Sequence, residues 1–350
     1  RALRFSCQLH CAIEPETWAG ILKLMPHITD LQDESVRADD SDHVVPAETI
    51  AKEFLKSFWF DPVRAFDLYD QSGAFAALMP ELLTMKGCPH PKAYHSEGDV
   101  WAHTRLALSQ LNTPEFLQEF PDDAVTIETI IGTLFHDIGK PPALMQPIEA
   151  GTDLYRYHGH DTLGANLVGI IGNRLKFSSQ PKESNLHVSI ERLQWIVQKH
   201  LLLLNSKIEE MRASTIEKYF FNPRVPGITL LQVILADSLA AVPLNAPPVL
   251  VHFQQMKRRI EELLHTTGQS LSFRSQSLPP ALVTGSIIME TFNLAPGPKI
   301  GKLLHIAREE QLEGNLKTTE EALARIRKEL SSEKKGKAGT LSQRNLPLTN

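Results

Sequence analysis

Ile130-Ile131-Gly132-Thr133-Leu134-Phe135-His136-Asp137-Ile138-Gly139-Lys140-Pro141 reads as an apolar helix that runs into a core and ends on two side chains able to do chemistry. The run Ile130 to Phe135 is buried-helix composition, and Pro141 prevents its continuation. Gly139 is read as the left-handed residue that closes the helix. Adjacent helical residues point about 100° apart, so His136 and Asp137 approach one ion only from neighbouring sides. A metal at this pair therefore needs ligands from other helices.

Working outward, candidates stand at suitable places. His103 lies early in the amphipathic segment that begins Asp99-Val100-Trp101-Ala102, His160 follows Tyr157-His158-Gly159 just ahead of a helix, and His200 closes the segment Leu186 to Leu204. Asp237 is the single carboxylate in Leu230-Leu231-Gln232-Val233-Ile234-Leu235-Ala236-Asp237, where an unpaired charge is costly and a partner or an ion is required. Eight of the 14 histidines fall between positions 90 and 200, about twice an even share, which marks that part as chemical. Nitrogen and oxygen ligands without thiolate suit Mn, Ni, Co, Fe or Mg better than a structural zinc. His95, in His95-Ser96-Glu97-Gly98-Asp99, is a candidate for lining the cleft. Arg174 and Lys176 are read either as a phosphate-facing patch or as a snorkelling helix terminus.

The surrounding period is helical throughout. Val100 to Leu111, Thr162 to Leu175, Leu186 to Leu204, Thr229 to Ala241, Leu250 to Leu264 and Thr319 to Leu330 carry apolar residues at spacings of three and four, and strand alternation is scarce. The expectation is an all-α protein in three parts and a tail: a helical frame over 1–89 with a polar loop at Asp30 to Asp42, a histidine-rich part over 90–245, a further helical part over 246–330 entered through His265 to Pro280, and a mobile basic tail over 331–350. Thr318 and Glu321 stand at capping-box spacing.

Composition narrows the class. The 350 residues are 42% hydrophobic and 22% charged, with 36 basic against 41 acidic side chains, which excludes a disordered or collagen-like chain and a chain-wide basic grip on nucleic acid. No apolar run approaches the roughly 20 residues of a membrane span; Ile228 to Val242, broken by Gln232 and Asp237, is read as a buried helix. Three cysteines make no disulfide framework, so a reducing, cytoplasmic compartment is expected. Cys7 and Cys11 flank His10 as a conceivable metal half-site, but two small buried side chains are the preferred reading. The start at Arg1 rather than Met carries the expectation of a longer parent chain.

The set His103, His136-Asp137, Asp237 resembles the HD superfamily of metal-dependent phosphohydrolases, and His160 and His200 resemble the subset that holds two metals. The resemblance implies His103, His136, Asp137, His160, His200 and Asp237 as metal ligands, with Asp137 bridging. It further implies Asp137, Lys140 and His160 as the groups that act on a phosphoester or nucleotide, Lys140 touching the phosphate or pairing with Asp137. The flanks resemble the neck, body and tail of class II tRNA nucleotidyltransferases, the CCA-adding enzymes and bacterial poly(A) polymerases. The matching stretches are Arg1 to Leu9, Ile13 to Thr17, Pro46 to Phe54, Leu78 to Leu82 and Pro296-Gly297-Pro298-Lys299-Ile300-Gly301-Lys302. Thr49 stands where the family has arginine, which puts an ion pair or RNA contact there in doubt. Lys299 and Lys302, at a helix start whose backbone N–H groups face outward, are candidate RNA-phosphate contacts. The family's nucleotidyl-transfer motifs precede the neck and do not occur here, so this chain is not expected to polymerise nucleotides. The resemblance implies a 2′,3′-cyclic phosphodiesterase, 2′-nucleotidase or phosphatase working near tRNA or another RNA 3′ end. The rival expectation is an RNA-binding body in which the HD fold is a non-catalytic scaffold.

Overall fold

The computed structural model describes residues 1–30, 45–150, 154–269 and 278–342. Among them every regular element is helical, with one isolated antiparallel bridge between Met145 and Arg156, as an all-α protein requires. The α-helices are α1 Ala2–Leu9, α2 Pro15–Leu24, α3 Ala47–Phe60, α4 Pro62–Gln71, α5 Ala74–Leu78, α6 Pro80–Leu83, α7 Val100–Gln110, α8 Pro114–Leu117, α9 Ile127–Phe135, α10 Pro147–Ala150, α11 His160–Arg174, α12 Ile190–Lys199, α13 Ala213–Ile216, α14 Gly227–Ala240, α15 Val251–Thr266, α16 Gly285–Phe292, α17 Pro298–Leu312 and α18 Thr319–Ser342. No helix among the described residues is long and apolar enough to cross a membrane.

The chain packs as two compact units, residues 1–206 with 225–254, and residues 207–224 with 255–350. The expected break at position 89 therefore does not separate two bodies. Phe54 of α3 stacks on Phe177 at 5.4 Å, Phe177 meets Phe135 of α9 at 6.4 Å, and Tyr69 of α4 closes on Phe54 at 5.3 Å. Each such aromatic pair contributes about 0.5–1.5 kcal/mol beyond burial, so the N-terminal helices and the histidine-rich helices share one core.

At the centre stands α9, all nine of whose residues are buried. Thr126 caps it by accepting from Thr129 N–H. Beside it α14 is nearly all buried, and its Gln232 is satisfied by Thr129 Oγ1 at 2.7 Å and Asp123 O at 3.0 Å. α11 and α12 pack closely because Gly164 and Gly172 leave space for Val197 and Ile190, whose carbons would lie 3.0 Å from an added Cβ. Ser189 caps α12 three residues after the expected start at Leu186, and the helix stops at Lys199.

Gly139 differs from its expected role. It does not adopt a left-handed φ. Its missing Cβ is needed because a methyl there would lie 1.9 Å from His160 O and 2.5 Å from Gly164 N. The glycine serves close approach of the His136-Asp137 turn to the start of α11. Cys7 is buried as expected, whereas Cys11 is exposed.

The second unit is held by Ile288, Ile300, Leu303, Ala307, Ala322 and Ile326, with Arg308 on Glu217 and Arg325 on Glu310 at its margin. Thr318 Oγ1 accepts from Glu321 N–H and Glu321 accepts from Thr318 N–H, both at 3.2 Å, which forms the expected capping box. α18 continues through Ser342, past the expected helix end at Leu330. The tail beyond 342, most of the Asp30 to Asp42 loop and positions 270–277 of the polar connection lie outside the described residues.

Candidate metal centre

Five helices of the first unit deliver the site. α9 ends at His136 and Asp137, α7 carries His103 in its first turns, α11 begins with His160, α12 ends at His200, and α14 supplies Asp237. His103, His136, His160 and His200 are all buried, and Asp137 is 1% exposed. These residues form two groups, His103 with His136 and Asp237, and Asp137 with His160 and His200, and His103 also belongs to a third with His90, His95 and Glu97, the ligand atoms lying within 4.8 Å of one another in each group.

Asp137 faces both groups. Its Oδ2 lies 3.3 Å from His136 Nε2 and 3.9 Å from His103 Nε2, and its Oδ1 lies 3.6 Å from His160 Nε2 and 3.7 Å from His200 Nε2. Asp237 Oδ1 is 2.9 Å from His103 Nε2 and 3.5 Å from His136 Nε2. The rings are aimed by their outer nitrogens. Nδ1 of His136, His160 and His200 donates to the carbonyls of Thr133, Tyr157 and Val197 at 2.7, 2.8 and 2.6 Å, which leaves each Nε2 lone pair pointing inward.

These residues fit a divalent ion. Two Nε2 pairs approach to 3.4 Å (His136 with His103) and 3.3 Å (His160 with His200), and lone pairs so close need a proton or a cation between them. Asp137 Oδ2 has no well-directed hydrogen-bond donor, although Lys140 Nζ lies 2.6 Å away in an ion pair. Nitrogen and carboxylate donors on a buried floor match the hard-to-borderline ions expected from the sequence.

The electrostatics are those of a strongly coupled cluster. Burial alone lowers His136, but the Asp137 and Asp237 carboxylates outweigh it and push its pKa up to about 10. His200, fully buried and less compensated, is pushed down to about 4. Burial works to raise Asp137, yet Lys140 and His136 hold it well below the usual carboxylate range. Burial and the Lys140 ammonium drive His90 far down, so that it is neutral.

A cavity of about 590 Å³ opens over Asp137 and Asp237, walled by Tyr94, His95, Lys140, Tyr157, His158 and His252 among others. Lys140 Nζ lies 2.9 Å from His90 Nε2 as well as beside Asp137, so the ammonium is fixed at the cavity wall. His95 lines this cavity, and its Nδ1 donates to Glu97 Oε1 over 2.7 Å.

Two candidate groups are placed elsewhere. Arg174 makes a two-pronged ion pair with Glu81 at 2.7 and 2.8 Å and reaches Leu78 O, and Lys176 Nζ sits 2.5 Å from Glu48. They tie α11 and the turn after it to α3 and α6 and do not line the cavity. Arg174→Ala is expected to cost about 0.5–1 kcal/mol in chemical denaturation, and an unchanged stability would mean that the Glu81 pair holds nothing. Lys299 and Lys302 belong to the second unit, Lys302 lying 3.3 Å from Glu329.

His90 and Glu97 are residues of the candidate site that the sequence did not single out. Their signal was present only as density of titratable residues in His90-Pro91-Lys92-Ala93-Tyr94-His95-Ser96-Glu97.

An all-helical protein with a dense His and Asp constellation is thus the class that the geometry defines. Comparison with known proteins shows what the chain is similar to. Residues 251–326 match the family model for tRNA nucleotidyltransferase domain 2. The chain is 27% identical to a CC-adding tRNA nucleotidyltransferase of Thermus thermophilus over 80% of this chain and 56% of that protein. It is 26% identical to an A-adding tRNA nucleotidyltransferase of Deinococcus radiodurans over 94% of this chain and 67% of that protein. With a multifunctional CCA protein of Teredinibacter turnerae it shares 31% identity over 52% of this chain and 39% of that protein. The chain is similar to these tRNA nucleotidyltransferases and spans about half to two thirds of the length of the first two.

Proposed function

We propose that the first unit is an HD-type, divalent-metal-dependent phosphohydrolase of the 2′,3′-cyclic phosphodiesterase, 2′-nucleotidase or phosphatase kind. The observation that carries this reading is the position of Asp137, one oxygen toward His136 and the other toward His160 and His200. His103, His136, Asp237 and one oxygen of Asp137 would hold one ion; His160, His200 and the other oxygen a second. Mn, Ni, Co, Fe or Mg bound there would supply Lewis acidity to phosphoryl oxygens and lower the pKa of a water molecule.

The chain's own groups do the rest. Lys140, held by Asp137 and His90, presents a fixed positive charge to phosphoryl oxygens that enter the cavity. His160 stands on the opposite side of Asp137, where its Nε2 can contact the ion or the phosphate. Tyr94, Tyr157 and His252 give the cavity flat walls for the organic part of the substrate. The relatives' names make tRNA, or another RNA 3′ end, the proposed partner, with the cytoplasm as its compartment. The proposed contacts of the second unit are the helix start at Pro298, Lys299 and Lys302.

Elemental analysis of the purified chain and hydrolysis of 2′,3′-cyclic AMP and p-nitrophenyl phosphate test this reading. Near-stoichiometric divalent metal is expected, with activity lost to a chelator and restored by Mn²⁺ or Ni²⁺. Full activity in metal-free protein refutes it. The match of residues 251–326 favours a second reading, an RNA-binding body whose HD fold is only a scaffold. That reading expects metal-free protein that binds tRNA and hydrolyses neither ester.

A further inference from the structure

Three of the four rings at the centre are aimed by peptide carbonyls and the fourth by a carboxylate, and the difference has a structural cause. His136 and His200 stand at the C-terminal ends of α9 and α12, and Tyr157 precedes α11, places where backbone carbonyls are left over. His103 stands at the fourth position of α7, where its own N–H bonds Asp99 O and the Val100 carbonyl accepts from Thr104 Oγ1. Its Nδ1 therefore takes a partner from outside the helix, Glu97 Oε1 at 2.8 Å.

Glu97 is held for this task. Its side chain is 6% exposed, its Oε1 also meets His95 Nδ1 at 2.7 Å, and its Oε2 accepts from Val242 N–H at 3.1 Å. Ser96 N–H and Oγ both donate to Val242 O, at 2.8 and 2.9 Å. Val242 follows α14, the helix that carries Asp237. Glu97 thus ties the His103 ring to the exit of the helix whose Asp237 meets His103 Nε2 at 2.9 Å.

The two groups differ in charge as a result. Around His103 and His136 stand Asp237, one oxygen of Asp137, and Glu97 behind the ring. Among the described residues, the one carboxylate grouped within ligand reach of His160 and His200 is Asp137, whose charge Lys140 also shares, while Asp161 and Asp237 act on these rings from farther off. A carboxylate on the outer nitrogen fixes the tautomer of a ligating imidazole and raises its basicity, and loss of such a partner typically costs about 10- to 100-fold in metal affinity.

We infer that Glu97 is a positioning residue that makes the His103, His136 and Asp237 position the tighter of two divalent-metal positions and the first to fill. This rests on the two-ion reading proposed above.

The test is calorimetric titration of the metal-free full chain with Mn²⁺. Wild type is expected to show two steps, and His160→Ala to lose only the weaker one. Glu97→Gln is expected to weaken the tighter step by about 10- to 100-fold and to leave the weaker step within about twofold, because one amide cannot accept from both histidines and from Val242 N–H. Glu97→Asp keeps the charge but shortens the reach, and is expected to recover part of the loss. Helical circular dichroism in chelator shows that each variant is folded before titration. Should Glu97→Gln misfold, the His160→Ala and Glu97→Asp titrations still decide. An unchanged tighter step in either Glu97 variant, or loss of the tighter step in His160→Ala, overturns the role of Glu97 while two-ion binding stands. Wild-type protein that takes up no Mn²⁺ overturns the metal reading itself.

Discussion

Asp137→Ala is expected to strip both proposed ions and to lower the proposed phosphoester hydrolysis by about 10³-fold or more, because a single carboxylate would serve both metal positions and the electrostatics of the transition state would depend on them. No other residue in the constellation has this double position. Asp237 faces only His103 and His136, and its removal should cost one ion. The variant is expected to fold. Breaking a sealed ion pair costs about 3–5 kcal/mol, but Lys140 is 12% exposed at the cavity wall and keeps its contact with His90, so a loss of about 1–3 kcal/mol is expected instead. Asp137→Asn preserves the shape and isolates the charge, and should match alanine in activity. Metal content and initial rates with 2′,3′-cyclic AMP check the expectation; a folded alanine variant that keeps two ions and its rate would remove Asp137 from the mechanism.

What could be read in the sequence followed from contrast. His136-Asp137 behind an apolar run, and Asp237 alone in an apolar helix, stand out because burial makes each polar group need a partner. His103, His160 and His200 emerge the same way, as lone histidines at helix starts or ends. Glu97 could not emerge so, for it sits among His95, Ser96 and Asp99 in a polar loop where one more acidic residue makes no contrast. Its role comes from His103 Nδ1 and from Val242, which is 145 residues away. Arg174 and Lys176 were legible as charges but not as partners, since Glu81 and Glu48 lie 93 and 128 residues away. Helix type came from local period, whereas the union of the N-terminal helices with the histidine-rich helices came from aromatic contacts that no local pattern announces. Gly139 shows the same limit. A glycine after a helix reads as a left-handed closure, and only the approach of α11 reveals that space, not backbone angle, is what it provides.

Gly139→Ala is therefore expected to be severe for a steric reason that its backbone angles do not announce. The added Cβ would meet His160 O at 1.9 Å, Gly164 N at 2.5 Å and His160 C at 2.9 Å, and all three are backbone atoms that no rotamer change can move. The start of α11 has to shift by about 1 Å or more, at a cost near or above the roughly 3 kcal/mol typical of overpacked cores. For a unit the size of residues 1–206 with 225–254, that corresponds to a fall in Tm of about 6–12 °C. The shift displaces His160 from Asp137 and His200, so the second ion should be lost while the His103, His136 and Asp237 position still binds. Gly73 provides the opposite case. Its φ of 77° is left-handed, yet nothing lies within 4 Å of an added Cβ. Gly73→Ala should cost only the backbone penalty of about 1–2 kcal/mol and leave both ions in place. Thermal unfolding and metal content of the two variants decide the matter. If Gly73→Ala proves the more damaging, or if Gly139→Ala keeps two ions at an unchanged Tm, then close approach is not what this glycine secures.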